Sequence, residues 1–182
     1  MEVPALSSLP PAAPVQPVQP VQPMPPIPPL PPIPSLHVAC VDPQRMKTMA
    51  ALLRDPYPIH WDPESVSDAA HGGRTVNQGP LNLGYIANML MAWAGDGSIR
   101  RLRASFHAHV LAGDSVTASG EVDEVFEVDG EARARCAVRL LRGDELIVSG
   151  TAEVATTQLL SASGRLAAAA SSVIEPSHED PQ

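Results

Sequence analysis

The sequence predicts an α+β domain in which one long apolar helix is enclosed by an antiparallel sheet. Three observations carry this. Apolar residues recur at helical spacing in the first half of the domain and at every second position from Ile99 to about Thr156. Gly79–Ala94, between the two, is apolar on most of its faces, so other structure must cover it. Gly113-Asp114, Asp129-Gly130 and Gly143-Asp144 then punctuate the second half into three or four long strands, read as a meander.

The elements follow in order. Residues 1–36 hold 14 of the 21 prolines, with Val15-Gln16-Pro17 repeated three times in succession. A segment without backbone donors or strand and helix periodicity is expected to be a disordered, extended tail that adds nothing to a core. The domain then runs over 37–158, about 120 residues, enough for one modest core. Asp42-Pro43 supplies a cap and first position for a helix carrying Met46, Met49, Leu52 and Leu53, which Pro56 stops. A short second helix is expected from Asp62-Pro63-Glu64 to Gly72-Gly73. Gly79-Pro80 opens the long helix and Gly95 ends it. In the strands, Leu102, Ala104, Phe106, Ala108 and Val110 alternate with polar residues, as do Ala134, Cys136, Val138 and Leu140. Residues 159–182, rich in Ser, Ala and acidic positions, read as a flexible tail.

The formal charge of −8 excludes nucleic acid as a main partner, because neutralising phosphates needs a basic surface. Arginine outnumbers lysine eleven to one, which reads as genome composition rather than function. Cys40 and Cys136 are too few for a disulfide framework or a zinc site, and read as reduced, mostly buried thiols of a cytoplasmic protein. The N-terminus lacks the basic start and apolar run of a secretory signal. Leu81–Gly95 is too short, and with Asn82 and Asn88 too polar, to span a bilayer, so no membrane association is expected.

The segment Arg54-Asp55-Pro56-Tyr57-Pro58-Ile59-His60-Trp61-Asp62 is where chemistry reads most directly. Its prolines fix φ and push the residues before them toward extended backbone, so a carboxylate and an imidazole five residues apart are held on a braced loop. Such a pair can hold one water and move its proton, with the carboxylate the expected base and the imidazole its partner, and which group performs which transfer left open by the sequence. On residues alone, Asp55 could equally end a helix and His60 satisfy a loop carbonyl.

Asp55-Pro56-Tyr57-Pro58-Ile59-His60, then Asn77-Gln78-Gly79-Pro80-Leu81 opening an apolar helix, then the strands, resembles the MaoC-like (R)-specific enoyl-CoA hydratases and acyl dehydratases of the hot-dog fold. The resemblance spans about Leu36 to Thr157. Asp55, Pro58, Ile59, His60, Gly79 and Pro80 match the family pattern. Tyr57 stands for its usual Asn, Arg54 for its usual Gly, and Asn77-Gln78 where a single His is expected. The resemblance implies a single hot-dog domain with Asp55 and His60 as the catalytic pair and the Gly79 amide as oxyanion-hole donor. It places Tyr57, Gln78, Leu81 and Tyr85 at the substrate pocket.

The implied reaction hydrates 2-enoyl-CoA thioesters, or dehydrates 3-hydroxyacyl-CoA, in lipid metabolism. It needs no cofactor or metal, coenzyme A entering only as the substrate's thioester. The implied assembly is a homodimer, or a heteromer with a related hot-dog chain. Two other readings stay open: a non-catalytic or half-catalytic subunit, and a hot-dog thioesterase. His107 and His109 share one expected strand face but lack a third ligand at recognisable spacing. Arg100, Arg101 and Arg103 read first as a solvated strand face and only second as a phosphate contact.

Overall fold

The computed structural model describes residues 29–66 and 71–161. Its elements are strand β1 (Leu36–Val38), helix α1 (Pro43–Leu53), 3-10 turns at Pro58–His60 and Pro63–Ser65, helix α2 (Gly79–Ala94), and strands β2 (Ile99–Phe106), β3 (Val116–Val128), β4 (Glu131–Arg142) and β5 (Glu145–Ala155). The strands form one antiparallel sheet in the order β1-β3-β4-β5-β2, with α2 packed on it. This is the long helix and enclosing sheet of a hot-dog fold.

The strands β3, β4 and β5 form the expected meander, but β2 does not pair with β3. It lies on the outer side of β5, with Ala104 opposite Gly150 and Leu102 opposite Ala152. At that crossing a Cβ on Gly150 would sit 2.2 Å from the carbonyl oxygen of Arg103, so the two backbones approach this closely only with glycine there. Sequence pattern also missed β1, whose three residues pair with Val116–Ala118. Beyond those partners the outer edge of β3 carries no strand among the described residues.

The helix α2 is the hub of the core. Gln78 precedes it in extended conformation, and Gly95, at φ 95°, stops it by donating its N–H to the Met91 carbonyl. Tyr85, Ile86, Met89, Leu90 and Trp93 are buried against Val116, Ala118, Ala134, Cys136, Val138, Leu140 and Val154 of the sheet. Each fully buried aliphatic side chain of this set contributes about 2 kcal/mol. The period-two pattern of β4 is realised as written, with Ala134, Cys136, Val138 and Leu140 all on the inner face.

The first helix is shaped as expected at its start, where the Asp42 carboxylate accepts the Gln44 N–H at 2.8 Å and Pro43 follows. Its buried face differs. Met46 and Ala50 point inward, whereas Leu52 and Leu53 are exposed. Where a second helix was expected, Pro63–Ser65 form a 3-10 turn, residues 67–70 lie outside the described part, and His71 is helical just before Gly72-Gly73. Of the two thiols only Cys136 is buried, which pushes its pKa up to about 11, while Cys40 is exposed.

Packing begins upstream of Leu36, within the segment expected to add nothing to the core. Ile33 is buried, Leu30 and Leu36 are partly buried against the core, and the Trp93 indole donates to the Pro31 carbonyl at 3.0 Å. The reason is a period of three. Leu30, Ile33 and Leu36 recur at every third residue, the spacing that an extended chain of three residues per turn would bring to one side, and Leu36 there enters β1 opposite Ala118. Ile33 lies over Gly120 of β3 and beside Met89 of α2. Residues 1–28 and 162–182, the bulk of the expected tails, fall outside the described residues.

Ile33→Ala is therefore expected to cost about 2 to 4 kcal/mol, the range for truncating a buried isoleucine. Denaturant unfolding with an unchanged m-value checks it. A loss under about 0.5 kcal/mol would mean that the segment rests on the core without stabilising it.

Candidate active site

The loop is built by how α1 ends. Arg54 adopts the left-handed conformation, φ 53° and ψ 39°, and its N–H reaches the carbonyls of Ala50 and Ala51. For a residue with a Cβ this backbone costs roughly 1 kcal/mol, which explains why glycine suits the position. It reverses the chain and delivers Asp55, whose own N–H returns to the Ala50 carbonyl at 2.9 Å. Pro56 forbids further helix. Pro58 then starts a tight turn in which the Trp61 and Asp62 N–H groups both reach the Pro58 carbonyl.

This brings the expected pair together. Oδ2 of Asp55 lies 3.5 Å from Nε2 of His60, and both side chains are only partly accessible, 34% and 14%. Oδ1 of Asp55 accepts the Tyr57 N–H at 3.1 Å, which turns Oδ2 toward the imidazole. Nδ1 of His60 lies 2.7 Å from the Val76 carbonyl oxygen. A carbonyl can only accept, so Nδ1 carries the proton, and in the neutral ring Nε2 presents a lone pair to Asp55. The Tyr57 ring stands edge-on to the imidazole, centroids 6.2 Å apart.

Val76 is the anchor that sequence reasoning missed. Its N–H donates to the Ile59 carbonyl at 2.8 Å, so the same residue holds the loop at two points. It bridges Leu111, flanked by bonds from Asn77 N–H to the Val110 carbonyl and from Ala112 N–H to that of Thr75. The facing 110–114 turn is pinned by Asp114, nearly buried, which accepts the Leu111 N–H and pairs with Arg74 and Arg142 at 2.7 and 2.6 Å. Burial alone would raise this carboxyl's pKa, but the Leu111 N–H and the two guanidinium groups outweigh it and hold the value below the ordinary range.

The start of α2 is the second half of the site. Gly79 is its first residue; the Leu81 and Asn82 N–H groups both reach the Gln78 carbonyl at 3.1 Å and Pro80 has none, which leaves the Gly79 N–H as the unpartnered donor of this electropositive end. A Cβ on Gly79 would come within 3.3 Å of the half-exposed Phe106 ring, which therefore lies against this backbone. The strand pattern had treated Phe106 as an inward residue. Gln78 is fully buried and donates to the Met46 carbonyl at 2.9 Å, tying α2 to α1. Tyr85 is also buried, which raises its hydroxyl pKa, and beside it Asn77 donates to Asn82 at 2.7 Å. Of the four expected pocket residues, Tyr57 stands at the pair, Leu81 is half-buried in the first turn of α2, and Gln78 and Tyr85 face the interior.

The remaining candidates separate. Strand β2 ends at Phe106, so His107 and His109 do not share a strand face: His107 bonds Ser149 at 2.8 Å, and His109 stacks on His71. Among the described residues no three His, Cys, Asp or Glu side chains gather as a metal site. Arg100 is engaged by Glu131, while Arg101 and Arg103 are exposed. Among the described residues no helix is long and apolar enough to cross a membrane.

The fold and this loop define a MaoC-like class of protein, and residues 17–140 match the family model described as a MaoC like domain. The chain belongs to that family. Solved structures agree in fold. An (R)-hydratase from A. caviae involved in PHA biosynthesis is 25% identical, with TM-score 0.59 over 69% of this chain and 96% of its own. The R-hydratase PhaJ1 from Pseudomonas aeruginosa is 21% identical, with TM-score 0.59 over 70% and 82%. The ChsH1-ChsH2 complex from Mycobacterium tuberculosis contains a chain 22% identical, with TM-score 0.57 over 70% and 96%. No curated protein matches the chain.

The pinning carboxylates make stability acid-sensitive. Asp114 lies below its ordinary 3.8, and Glu131, held by Arg100 and Arg133, falls from 4.5 to about 2. Both folded values are depressed, so their stabilisation is present above the ordinary values and is lost as pH falls from about 4.5 toward 2. Asp114→Asn is expected to cost about 2 kcal/mol at pH 7, since it leaves two arginines facing a neutral group. It should also flatten the acid limb of a stability–pH curve. An unchanged limb would assign the acid sensitivity to other groups.

Proposed function

We propose that the protein hydrates 2-enoyl thioesters of coenzyme A with (R) stereochemistry, or runs the reverse dehydration. The observation that carries this reading is the 3.5 Å gap between Oδ2 of Asp55 and Nε2 of His60, with the imidazole proton committed to Val76 on the far side. With Asp55 ionised and His60 neutral, both facing atoms are acceptors, and a direct contact between them repels. One water donating a proton to each relieves that repulsion and turns its own lone pairs outward, toward a β-carbon.

In the proposed step the water oxygen adds to the β-carbon as Asp55 takes one of its protons. The other proton stays as the product hydroxyl. Negative charge moves onto the thioester oxygen, where the Gly79 amide and the positive end of α2 stabilise the enolate. The proton held by the pair then passes to the α-carbon on the same face, and Asp55 is again a carboxylate. His60 holds the water in line throughout, with its tautomer set by the Val76 carbonyl. The two free thiols, one exposed, suit a reducing compartment, and we place the enzyme in the cytoplasm.

The open edge of β3 supports a paired assembly, because an unpaired strand of this length invites a second chain. We propose a homodimer. A related hot-dog chain is the second reading, suggested by the hetero-complex formed by ChsH1 and ChsH2.

Asp55→Asn and His60→Ala should each lower the hydration of crotonyl-CoA by at least about 100-fold, the usual scale for a positioned acid or base, with Tm little changed. Loss of the enoyl chromophore measures it, and release of free thiol instead would indicate thioester cleavage. Near-normal turnover by either folded variant sinks the assignment. Light scattering addresses assembly: a fully active monomer at micromolar concentration would refute pairing, and an inactive homodimer activated by a related chain would select the heteromer.

A further inference from the structure

Beside the pair lies a groove of about 550 Å³ lined by Lys47, Ala50, Ala51, Arg54, Asp55, Pro56 and Trp61. Resting on the hydratase reading above, we infer that this groove, with Lys47 and Arg54 as its cations and Trp61 as its aromatic wall, binds the coenzyme A portion of the substrate.

The groove brings two cations without a carboxylate partner beside the pair. Among the described residues Arg74, Arg100, Arg133, Arg135, Arg139 and Arg142 are each neutralised by a carboxylate. Lys47 and Arg54 have no carboxylate partner among these residues, nor do Arg45, Arg101 and Arg103, but none of those three lines this groove. Lys47 is also the only lysine in the sequence. The two sit seven residues apart, two turns of α1, which sets their backbones roughly 10 Å apart along the axis. An anionic ligand lying lengthwise along the helix meets both charges.

The floor and wall fix the ligand's other properties. Ala50 and Ala51 remove side-chain bulk between the cations, so a narrow, largely apolar chain can lie against the helix. Trp61, 40% exposed, offers an indole to a flat heterocycle or to methylenes. One end of the groove is Asp55 itself. A thioester at the pair thus directs the coenzyme A portion along the alanines, with its phosphates within reach of the Lys47 and Arg54 side chains. The volume suits a small molecule, whereas a carrier protein would need a broad complementary face.

Arg54 adds an independent sign. Its left-handed backbone, φ 53°, is a strained conformation for any residue but glycine, yet the position holds a cation that opens into this groove.

The test uses the full chain, with crotonyl-CoA compared against crotonyl-pantetheine, which lacks the phosphates. Lys47→Gln and Arg54→Gly should each raise KM for crotonyl-CoA about tenfold, the scale of one charge-assisted contact. The loss should fall in KM rather than kcat and be absent with crotonyl-pantetheine. Arg54→Gly should raise Tm at the same time, separating the lost contact from damage to the fold. Binding is read apart from turnover by tryptophan fluorescence with free coenzyme A. Trp93 is buried and bonded to Pro31, so a change in emission that Trp61→Phe abolishes reports the groove.

Quenching by coenzyme A that Lys47→Gln weakens supports the site even if no enoyl thioester is turned over, in which case the hydratase reading alone fails. Equal KM changes for both thioesters, unchanged KM for both, or an effect confined to a carrier-protein thioester would each overturn the proposal. So would loss of coenzyme A affinity in Arg101→Gln or Arg103→Gln instead.

Discussion

The hydrogen bond from Nδ1 of His60 to the Val76 carbonyl is the constraint on which the site rests. It selects the tautomer, leaving Nε2 free to face Asp55. It also joins the loop after α1 to the short bridge that leads into α2, and so relates the pair to the helix N-terminus. Those two parts are separated in sequence by residues 61–78. Without this bond each could be well formed and still be misaligned, and a misplacement of about 1 Å can cost a hundredfold in rate.

Val76 can serve as anchor because it is itself held from the opposite side. Its bridge to Leu111 depends on a turn whose geometry Asp114 enforces, by accepting the Leu111 N–H while pairing with Arg74 and Arg142. Arg74 lies just before the Thr75–Val76 segment. One nearly buried carboxylate therefore bonds the turn and, through Arg74, the chain entering the bridge. Desolvation opposes such an arrangement, and three donors on one carboxylate are what overcome it.

Much of this was legible in the sequence for a definite reason. Period-two alternation in β4, the Asp42-Pro43 cap and the Gly79–Ala94 helix are local patterns, and each appears in the structure as written. What escaped was either of another period or non-local. The spacing of three in Leu30, Ile33 and Leu36 matches neither the helix nor the strand period and is invisible to a search for either. The pairing of β2 with β5 rather than β3 depends on where the 107–115 segment goes, which alternation within a strand does not encode. Asp55 and His60 were readable because prolines brace them. Val76 was not, since its role lies in main-chain atoms that every residue but proline possesses.

That last point explains how the loop can depart from its family pattern without dispersing the pair. Asp55 is oriented by the N–H of residue 57, and His60 by the carbonyl of residue 76; neither bond uses a side chain of the orienting residue. Tyr57 can replace asparagine and still donate its amide. The side chains at 54, 57 and 61 are thereby released from holding the pair and left to face whatever occupies the surface beside it. Arg54, Tyr57 and Trp61 are all substantially exposed there. A carboxylate–imidazole pair held by the main chain, ringed by side chains that do not hold it, keeps its geometry whatever those side chains become.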